Sequence, residues 1–194
     1  MLPIRKSVIA IPVLATLGAC ANPTPPTITA DQLTDIQNES SRVSALSASA
    51  PASIPTSGAV DYSGHVGGEI DGDVTGGFVG DLTVTADFGT NAITGDVTNI
   101  NLIDEDGNPD QLLGGSLDVT GAHTGADITM TAQGSVTAVD DDGFRGSSDV
   151  DFELNGGFVD DTGTADAMYG TITGSADGDF YIGVVDADFY AVSQ

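Results

Sequence analysis

The sequence predicts an all-β fold, an eight-stranded antiparallel up-and-down β-barrel, and three observations support this prediction. Runs of alternating apolar and polar residues recur at short intervals after Gly58, with the period of two that half-buried strands need. All but one of the 26 glycines lie at or after Gly58, where they permit the bends and bulges that curl a sheet towards closure. No amphipathic helical pattern interrupts the runs, so consecutive strands should pair antiparallel.

The start of the chain has the pattern of an export signal. Arg5 and Lys6 form a short basic region, and the apolar stretch 7–17 that follows is too short to span a membrane. We therefore expect this part of the chain to be removed before the fold forms.

The next residues refine the export signal. The sequence from Leu17 to Cys20, LGAC, resembles the bacterial lipoprotein signal, in which cleavage before the cysteine frees it for acylation. Residues 1–19 are accordingly predicted to be a lipoprotein signal peptide, and Cys20, the one cysteine of the chain, to carry the lipid anchor. In such lipoproteins an aspartate directly after the cysteine favours the inner membrane, and here Ala21 stands at that position. The expected location is therefore the outer membrane, on either its periplasmic or its surface side.

Residues 20–57 are predicted to be a lipidated tether and linker, since all but one of the eight prolines lie at or before Pro55. Within this segment Thr29 and Gln32 have the spacing of a helix capping box. A partly ordered stalk is the favoured interpretation, and a helix docked on the barrel or across its mouth is the alternative. The apolar residues at helical spacing are Leu33, Ile36, Val43 and Leu46.

The barrel domain is predicted to occupy residues 58–194. In the third strand the apolar residues switch from odd-numbered to even-numbered positions between Val97 and Ile100. This change in the alternation indicates a bulge. The turns between strands include Gly89-Thr90-Asn91 and the acidic loops 104–110 and 140–143. The predicted strands are 59–66, 78–88, 92–102, 112–120, 128–138, 149–155, 165–174 and 179–192.

The chain is strongly acidic, with a formal charge of −25. All 29 acidic residues lie after residue 20, where Arg42 and Arg145 are the only basic ones. This balance argues against binding to nucleic acid or adsorption on anionic lipid, and it favours a soluble monomer. The strands carry Asp, Thr, Glu and Asn opposite their apolar residues, so the apolar face should turn inward and the outer face should meet water.

Several strand motifs resemble one known family, the barrel domain of transferrin-binding protein B-like lipoproteins. Three parts of the chain are similar to that family's pattern. They are the opening strand, the Asp-Phe strand with its glycine-containing return strand, and the closing hairpin. The resemblance covers roughly residues 55–190. Its motifs are 55–64 (PTSGAVDYSG), 82–89 (LTVTADFG), 93–97 (ITGDV), 169–174 (YGTITG) and 180–187 (FYIGVVDA).

The resemblance implies an eight-stranded barrel on an outer-membrane lipoprotein, often at the cell surface, that binds a protein or a small iron-bearing ligand. We therefore expect a binding module whose partner is a protein or a small molecule. Loops on a rigid barrel concentrate recognition, and Phe144 with Arg145 is the one aromatic and basic pair in an acidic loop, so these two residues are the candidate contact. Phe144 as a core residue at a strand start is the alternative.

Two other functions stay open. A lipocalin-like carrier would hold a small apolar molecule inside the barrel, and a lumen without a cavity of at least about 300 Å³ would remove it. A structural acidic envelope lipoprotein would have no specific ligand. The residues expected to face the lumen are Leu82, Val84, Phe88, Met130, Phe152, Leu154, Tyr181 and Phe189.

No catalytic motif is present, so the protein is predicted not to be an enzyme and to need no cofactor. His65 and His123 lack the spacing of metal ligands, and haem ligation by either is the alternative to an ordinary structural role. Loops 104–110 and 140–143 have the oxygen density that calcium prefers, yet both also read as solvated hairpin turns, which we favour.

Overall fold

The computed structural model describes residues 22–139, 143 and 145–194. It consists of a closed barrel, a helix on the barrel's outer wall and two short additional strands. The elements are α1 (Ala30–Ser44), β1 (Ser47–Ala48), a 3₁₀ turn (Pro51–Ser53), β2 (Ala59–Gly72), β3 (Gly76–Asp87), β4 (Ala92–Ile103), β5 (Pro109–Leu112), β6 (Gly114–Thr124), β7 (Asp127–Val139), β8 (Arg145–Asp160), β9 (Ala167–Gly178) and β10 (Ile182–Ser193).

The predicted eight-stranded up-and-down barrel is confirmed. Each of β2, β3, β4, β6, β7, β8, β9 and β10 pairs antiparallel with the strand before and after it, and β10 closes the sheet by pairing with β2. The extra strands lie beside this ring, β5 against β4 and β1 against β8. Closure leaves the ring without an exposed edge, which is the physical advantage of this architecture.

The predicted bulge in the third barrel strand is also confirmed. Thr98 of β4 lies opposite Asp81 and Asn101 lies opposite Val79, so Asn99 and its neighbour face a single residue of β3. Asn99 adopts a positive φ of 48°, which asparagine tolerates better than most residues. The bulge explains why the apolar parity changes along this strand.

A second bulge, in β10, corrects one prediction. The register shifts between Val184 and Asp186, so Val185 is an extra residue on this strand. Val185 is 63% exposed, and Tyr181, which precedes the strand in the β9–β10 turn, is 49% exposed. Neither therefore belongs to the inward face, because the alternation from Ala187 onward does not extend back across the bulge.

The core fills the barrel from end to end. The other seven residues predicted to face the lumen are all buried, and Leu82, Leu154 and Phe189 are completely so. Ile54, from the segment before β2, joins the same cluster of buried side chains. The structure thus uses part of the predicted linker to complete the core.

The segment before the barrel contains the predicted capping box but is not a stalk. The backbone N–H of Gln32 donates to the Thr29 hydroxyl at 3.3 Å, and the N–H of Thr29 donates to the Gln32 side chain at 2.9 Å. Helix α1 docks on the outer wall of the barrel, where Leu33 packs with Val79 and Ile103. Of the two interpretations of this segment, the docked helix is correct and the partly ordered stalk is wrong.

Contacts on both sides of α1 extend the docked segment. The N–H of Leu112 donates to the Thr24 carbonyl at 2.9 Å, and the N–H of Thr27 donates to the buried side chain of Asn101 at 2.8 Å. After the helix, β1 pairs with the end of β8. Among the described residues, no helix is long and apolar enough to cross a membrane.

Placing a charge under the C-terminal part of α1 should detach the helix. Val43 is fully buried against Val159, Ala167 and Tyr190. We expect Val43→Asp to lose about 3 kcal/mol of docking free energy, since it removes a buried aliphatic group and buries an unpaired carboxylate. Limited proteolysis should then cut within α1 while the barrel stays intact.

A matched control adds the same carboxylate to the exposed side of the helix, Asn38→Asp. This variant should keep the protection of the parent protein. Equal protease sensitivity of the Val43 variant and the Asn38 variant would contradict the docking described above.

Candidate functional site

The barrel lumen is packed with side chains. The void in the lumen measures about 30 Å³, lies towards the end of the barrel that carries the β2–β3 and β9–β10 turns, and is bounded by buried residues, among them Phe78, Phe152 and Ile182. This volume is far below the roughly 300 Å³ at which ligand pockets begin. The lipocalin-like carrier predicted as an alternative is therefore removed, because aromatic and branched side chains from facing strands meet in the space a ligand would need.

The large cavity lies on the outside of the barrel, between α1 and the wall formed by β2, β3 and β10. This wall cleft has a volume of about 850 Å³. The helix contributes Leu33, Ile36, Gln37, Ser40 and Ser41, and the barrel contributes the ends of β2, β3, β4 and β10 with the loops between them. Helix α1 contacts the wall at Leu33 and Val43 and, between them, at Ile36, so the cleft is the space that these contacts leave along the helix.

Glycines form part of the floor of the wall cleft. A Cβ on Gly67 would lie 2.8 Å from the Phe78 carbonyl oxygen, and one on Gly77 would lie 3.0 Å from that of Gly68. Side chains at these positions would press on the neighbouring strand and occupy the cleft. The glycines therefore leave the backbone of the wall accessible to a ligand.

The β10 bulge forms the lip of the wall cleft. It displaces Val185 from the core side of the strand and leaves Asp186 directly opposite Glu69 of β2. Both carboxylates are exposed, and neither makes a hydrogen bond or an ion pair with any residue that the structure describes. Bulges commonly redirect a side chain next to a binding site, and here the result is an exposed valine directly before Asp186.

Further along the cleft, polar contacts join the helix to the wall. The Asp188 carboxylate accepts hydrogen bonds from the Ser40 hydroxyl at 3.0 Å and from the Tyr169 hydroxyl at 3.1 Å. These bonds occupy Asp188 and fix the width of the cleft at this point. The acids at the lip have no such partners in the described chain.

A histidine, a tyrosine and an aspartate meet at the inner end of the cleft. Tyr190 Oη lies 2.9 Å from His65 Nδ1, and Asp81 Oδ1 lies 3.4 Å from His65 Nε2. This geometry fits an imidazole that is protonated at Nε2, with the tyrosine hydroxyl donating to Nδ1. Asn99, at the β4 bulge, donates to the other Asp81 oxygen at 2.7 Å.

Burial sets the protonation of this group. It raises the pKa of Tyr190 to about 12, so the hydroxyl stays protonated at neutral pH and is a poor nucleophile. It also lowers the pKa of His65, an effect that the nearby Asp81 partly opposes. Both groups are therefore neutral at pH 7, and their hydrogen bond joins β2 to β10.

The lowered pKa of His65 predicts a pH dependence of stability. The unfolded chain takes up the histidine proton as the pH falls through about 6.5, whereas the folded protein does so only at lower pH. Stability from this group is thus present above pH 6.5 and is lost as the pH falls through the folded pKa. Urea denaturation at pH 7.5 and pH 5.5 should show a smaller loss of stability for His65→Gln than for the parent protein. An equal loss in both proteins would contradict this assignment.

Of the three residues singled out in the sequence, the structure describes only Arg145. Arg145 is exposed at the start of β8 and is not part of the wall cleft, while Phe144 and Cys20 lie outside the described residues. Phe144 with Arg145 as a ligand contact, and Cys20 as the lipid-bearing residue, therefore stay predictions. The structure does not bring Arg145 together with the cleft.

The two histidines do not share a site. His65 faces the wall cleft, whereas His123 is buried on the inside of β6 between Phe88 and Phe158, with ring centroids 5.2 and 5.4 Å away. His123 Nδ1 lies 3.1 Å from the Gly125 carbonyl oxygen, and its Nε2 has no partner in the described chain.

The acidic loop 104–110 forms a hydrogen-bonded turn. The Asp104 carboxylate accepts the backbone N–H of Asn108 at 2.7 Å, and this bond lowers the pKa of Asp104. Within the part of the chain that is described, no three His, Cys, Asp or Glu side chains come close enough to hold a metal ion. Of the second acidic loop, 140–143, only Gly143 is described.

Sequence reasoning missed the wall cleft because its parts come from distant segments. The signals that exist are the glycine pair before Glu69 and the broken alternation around Val185. Either pattern indicates a bend or a bulge, but the position of α1 is needed to turn them into a site.

Comparison with known proteins found solved structures with a similar fold. No family model matches the chain, and no curated protein matches its sequence. The fold is similar to intact Ap-TbpB with its N and C lobes (20% identity, TM-score 0.45) and to a mutant of the vaccine antigen transferrin-binding protein B from Haemophilus parasuis (21% identity, TM-score 0.43). Each match covers 75% of this chain and 28% of the other chain. These are structures of the family that the strand motifs resemble.

Proposed function

We propose that this protein is a lipid-anchored binding protein of the outer membrane that takes its ligand, a protein or a small molecule, in the wall cleft. The observation that carries the proposal is the contrast between a lumen with a void of about 30 Å³ and an outer cleft of about 850 Å³. The barrel is then a rigid scaffold, and α1 is the second wall of the binding site.

The docked segment also sets how far the barrel can stand from its anchor. Thr24 already contacts Leu112, and Cys20 lies four residues before Thr24. Four residues span at most about 14 Å when fully extended. A lipid on Cys20 would therefore hold the barrel close to the membrane, whereas the predicted linker 20–57 would have held it away.

Capture in living cells tests this function. The full-length protein with a C-terminal affinity tag is recovered from its own envelope after chemical cross-linking, alongside a variant whose cleft is filled, Gln37→Trp. Gln37 lines the cleft from α1, so an indole there should compete with the ligand. We expect recovery of the specific partner to fall about tenfold, the result of losing roughly 1.4 kcal/mol of binding free energy.

The matched control is Asn38→Trp, which adds the same indole to the next residue of α1, outside the cleft. This variant should recover the specific partner as efficiently as the parent protein does. Equal capture by both tryptophan variants would place the binding site elsewhere on the molecule. Recovery of no specific partner by the parent protein would favour the structural envelope lipoprotein instead.

A further inference from the structure

We propose that the ligand of the wall cleft is an extended, basic segment of a polypeptide, in which arginine or lysine alternates with smaller apolar residues. This inference rests on the proposed function, because it names the chemistry of the partner for the same site. Three features of the cleft carry it: the charge of its lining, the arrangement of the acids along β2, and the apolar surface between them.

Among the described residues the lining of the cleft carries carboxylates and no arginine or lysine, and its histidine, His65, has a lowered pKa and is neutral at pH 7. Of the two arginines in the described chain, Arg42 lies on the other side of the helix and pairs with Glu39 at 2.7 Å and Asp161 at 2.9 Å, and Arg145 is outside the cleft. A cationic ligand would therefore meet no competing positive charge. The acids of the lining are Glu69, Asp71, Asp104, Glu105, Asp186 and Asp188.

Two of these acids are arranged unfavourably in the unliganded protein. Glu69 and Asp186 are directly opposite each other on paired strands, an arrangement that destabilises a sheet when the charges are alike. A guanidinium or ammonium group between them would remove the repulsion and would gain two charge-assisted hydrogen bonds. The ligand's cation thus supplies the partner that the barrel does not.

The spacing of the wall fits a chain in the extended conformation. Glu69 and Asp71 are two residues apart on β2, which places them about 6.8 Å from each other on one face of the strand. Alternate side chains of an extended ligand repeat at the same interval. From His65 to Asp71 the wall runs for about 20 Å, enough for about six ligand residues.

Apolar contacts complete the match. Val185 is 63% exposed at the lip, and Ile36 of α1, which packs against the wall, keeps the rest of its half-buried side chain in the lining of the cleft. The small side chains between the ligand's basic residues would cover these two, while backbone groups of the ligand would approach the glycine floor. A free amine or a metal ion would use the acids alone and leave this apolar surface in water.

The test uses the purified full-length protein in detergent and a fluorescent peptide, Arg-Val-Arg-Val-Arg-Val, with fluorescence anisotropy at 150 mM NaCl. We expect the double variant Glu69→Gln with Asp186→Asn to bind this peptide about tenfold more weakly, as removal of two partly exposed ion pairs predicts. The acidic peptide Glu-Val-Glu-Val-Glu-Val should not bind. Free arginine at the same concentration should not compete.

The control removes the same two charges from another part of the wall. Asp96 of β4 and Asp118 of β6 also lie directly opposite each other, are exposed, and are outside the cleft. The double variant Asp96→Asn with Asp118→Asn should bind the basic peptide as the parent protein does. Equal weakening by the two double variants would overturn the proposal, since the peptide would then sense only the overall charge, and full competition by free arginine or Ca²⁺ would overturn it in favour of a small cation.

The two proposals fail in different ways. If the cleft binds a ligand of another chemistry, Gln37→Trp will still reduce capture from the envelope while the basic peptide fails to bind. If the cleft is not the binding site, Gln37→Trp will leave capture unchanged whatever the peptide does.

Discussion

Replacing Gly170 by valine is expected to prevent the barrel from folding. Gly170 lies on β9 between Gly156 of β8 and Phe189 of β10. A Cβ at this position would lie 2.6 Å from the Gly156 Cα and 2.6 Å from Phe189 Cε1, and it would also meet the Asn155 carbonyl oxygen. Overpacking a core typically costs about 1–3 kcal/mol where the neighbours can move. Here the neighbours are strand backbone and a buried ring, so we expect the cost to approach the stability of about 5–15 kcal/mol that a typical domain has.

Circular dichroism and the elution volume of the purified protein measure this effect. The control is Gly163→Ala, since a Cβ on Gly163 would meet only the flexible Asp166 carboxylate, at 3.4 Å. This variant should fold with nearly unchanged stability. A folded Gly170 variant with the thermal midpoint of the parent protein would show that the ring of Phe189 does not rest on the glycine as described.

Replacing Cys20 by serine is expected to remove the protein from the membrane completely. The proposed attachment is the lipid alone, and the acidic chain has no affinity for an anionic surface. Metabolic labelling with a radioactive fatty acid should mark the parent protein and leave the variant unlabelled. The barrel should fold unchanged, because no other cysteine exists in the chain.

The control for this experiment is Ser57→Ala, a change in the segment that leads into the barrel, which should leave both label and location as they are. Membrane-bound Cys20→Ser protein that survives a high-salt wash would show that something other than a lipid holds the protein there. The lipid-anchored part of the proposed function would then have to be abandoned.

The barrel could be predicted from the sequence because the alternation of apolar and polar residues that defines its strands is a local pattern. Alternation in β7 and β8 fixes which residues face the core, and even the β4 bulge leaves a change of parity at Val97 to Ile100. The prediction was wrong at Tyr181, because the alternation from Phe189 back to Tyr181 was carried through the bulge at Val185. One extra residue reverses every side chain that precedes it on the strand, and the sequence marks such a residue weakly.

The wall cleft could not be predicted because it depends on where α1 docks. The capping box and the spacing of Leu33 and Val43 indicate a helix, but the surfaces that receive them come from β3, β4, β8, β9 and β10. These partners are distant in sequence and outward-facing, so Val79 and Tyr190 look like ordinary surface positions until the helix covers them. Burial of an outward-facing strand residue depends on tertiary contacts, and local sequence patterns do not encode these contacts.

Site-specific photo-cross-linking in the living cell tests most directly whether the ligand occupies the wall cleft. A photo-reactive amino acid replaces Val185, at the lip of the cleft, or Asp118, exposed on another part of the wall. We predict a discrete cross-linked product from position 185, its loss when Gln37→Trp fills the cleft, and no product from position 118. A product from position 118 with none from position 185 would contradict the assignment of the binding site.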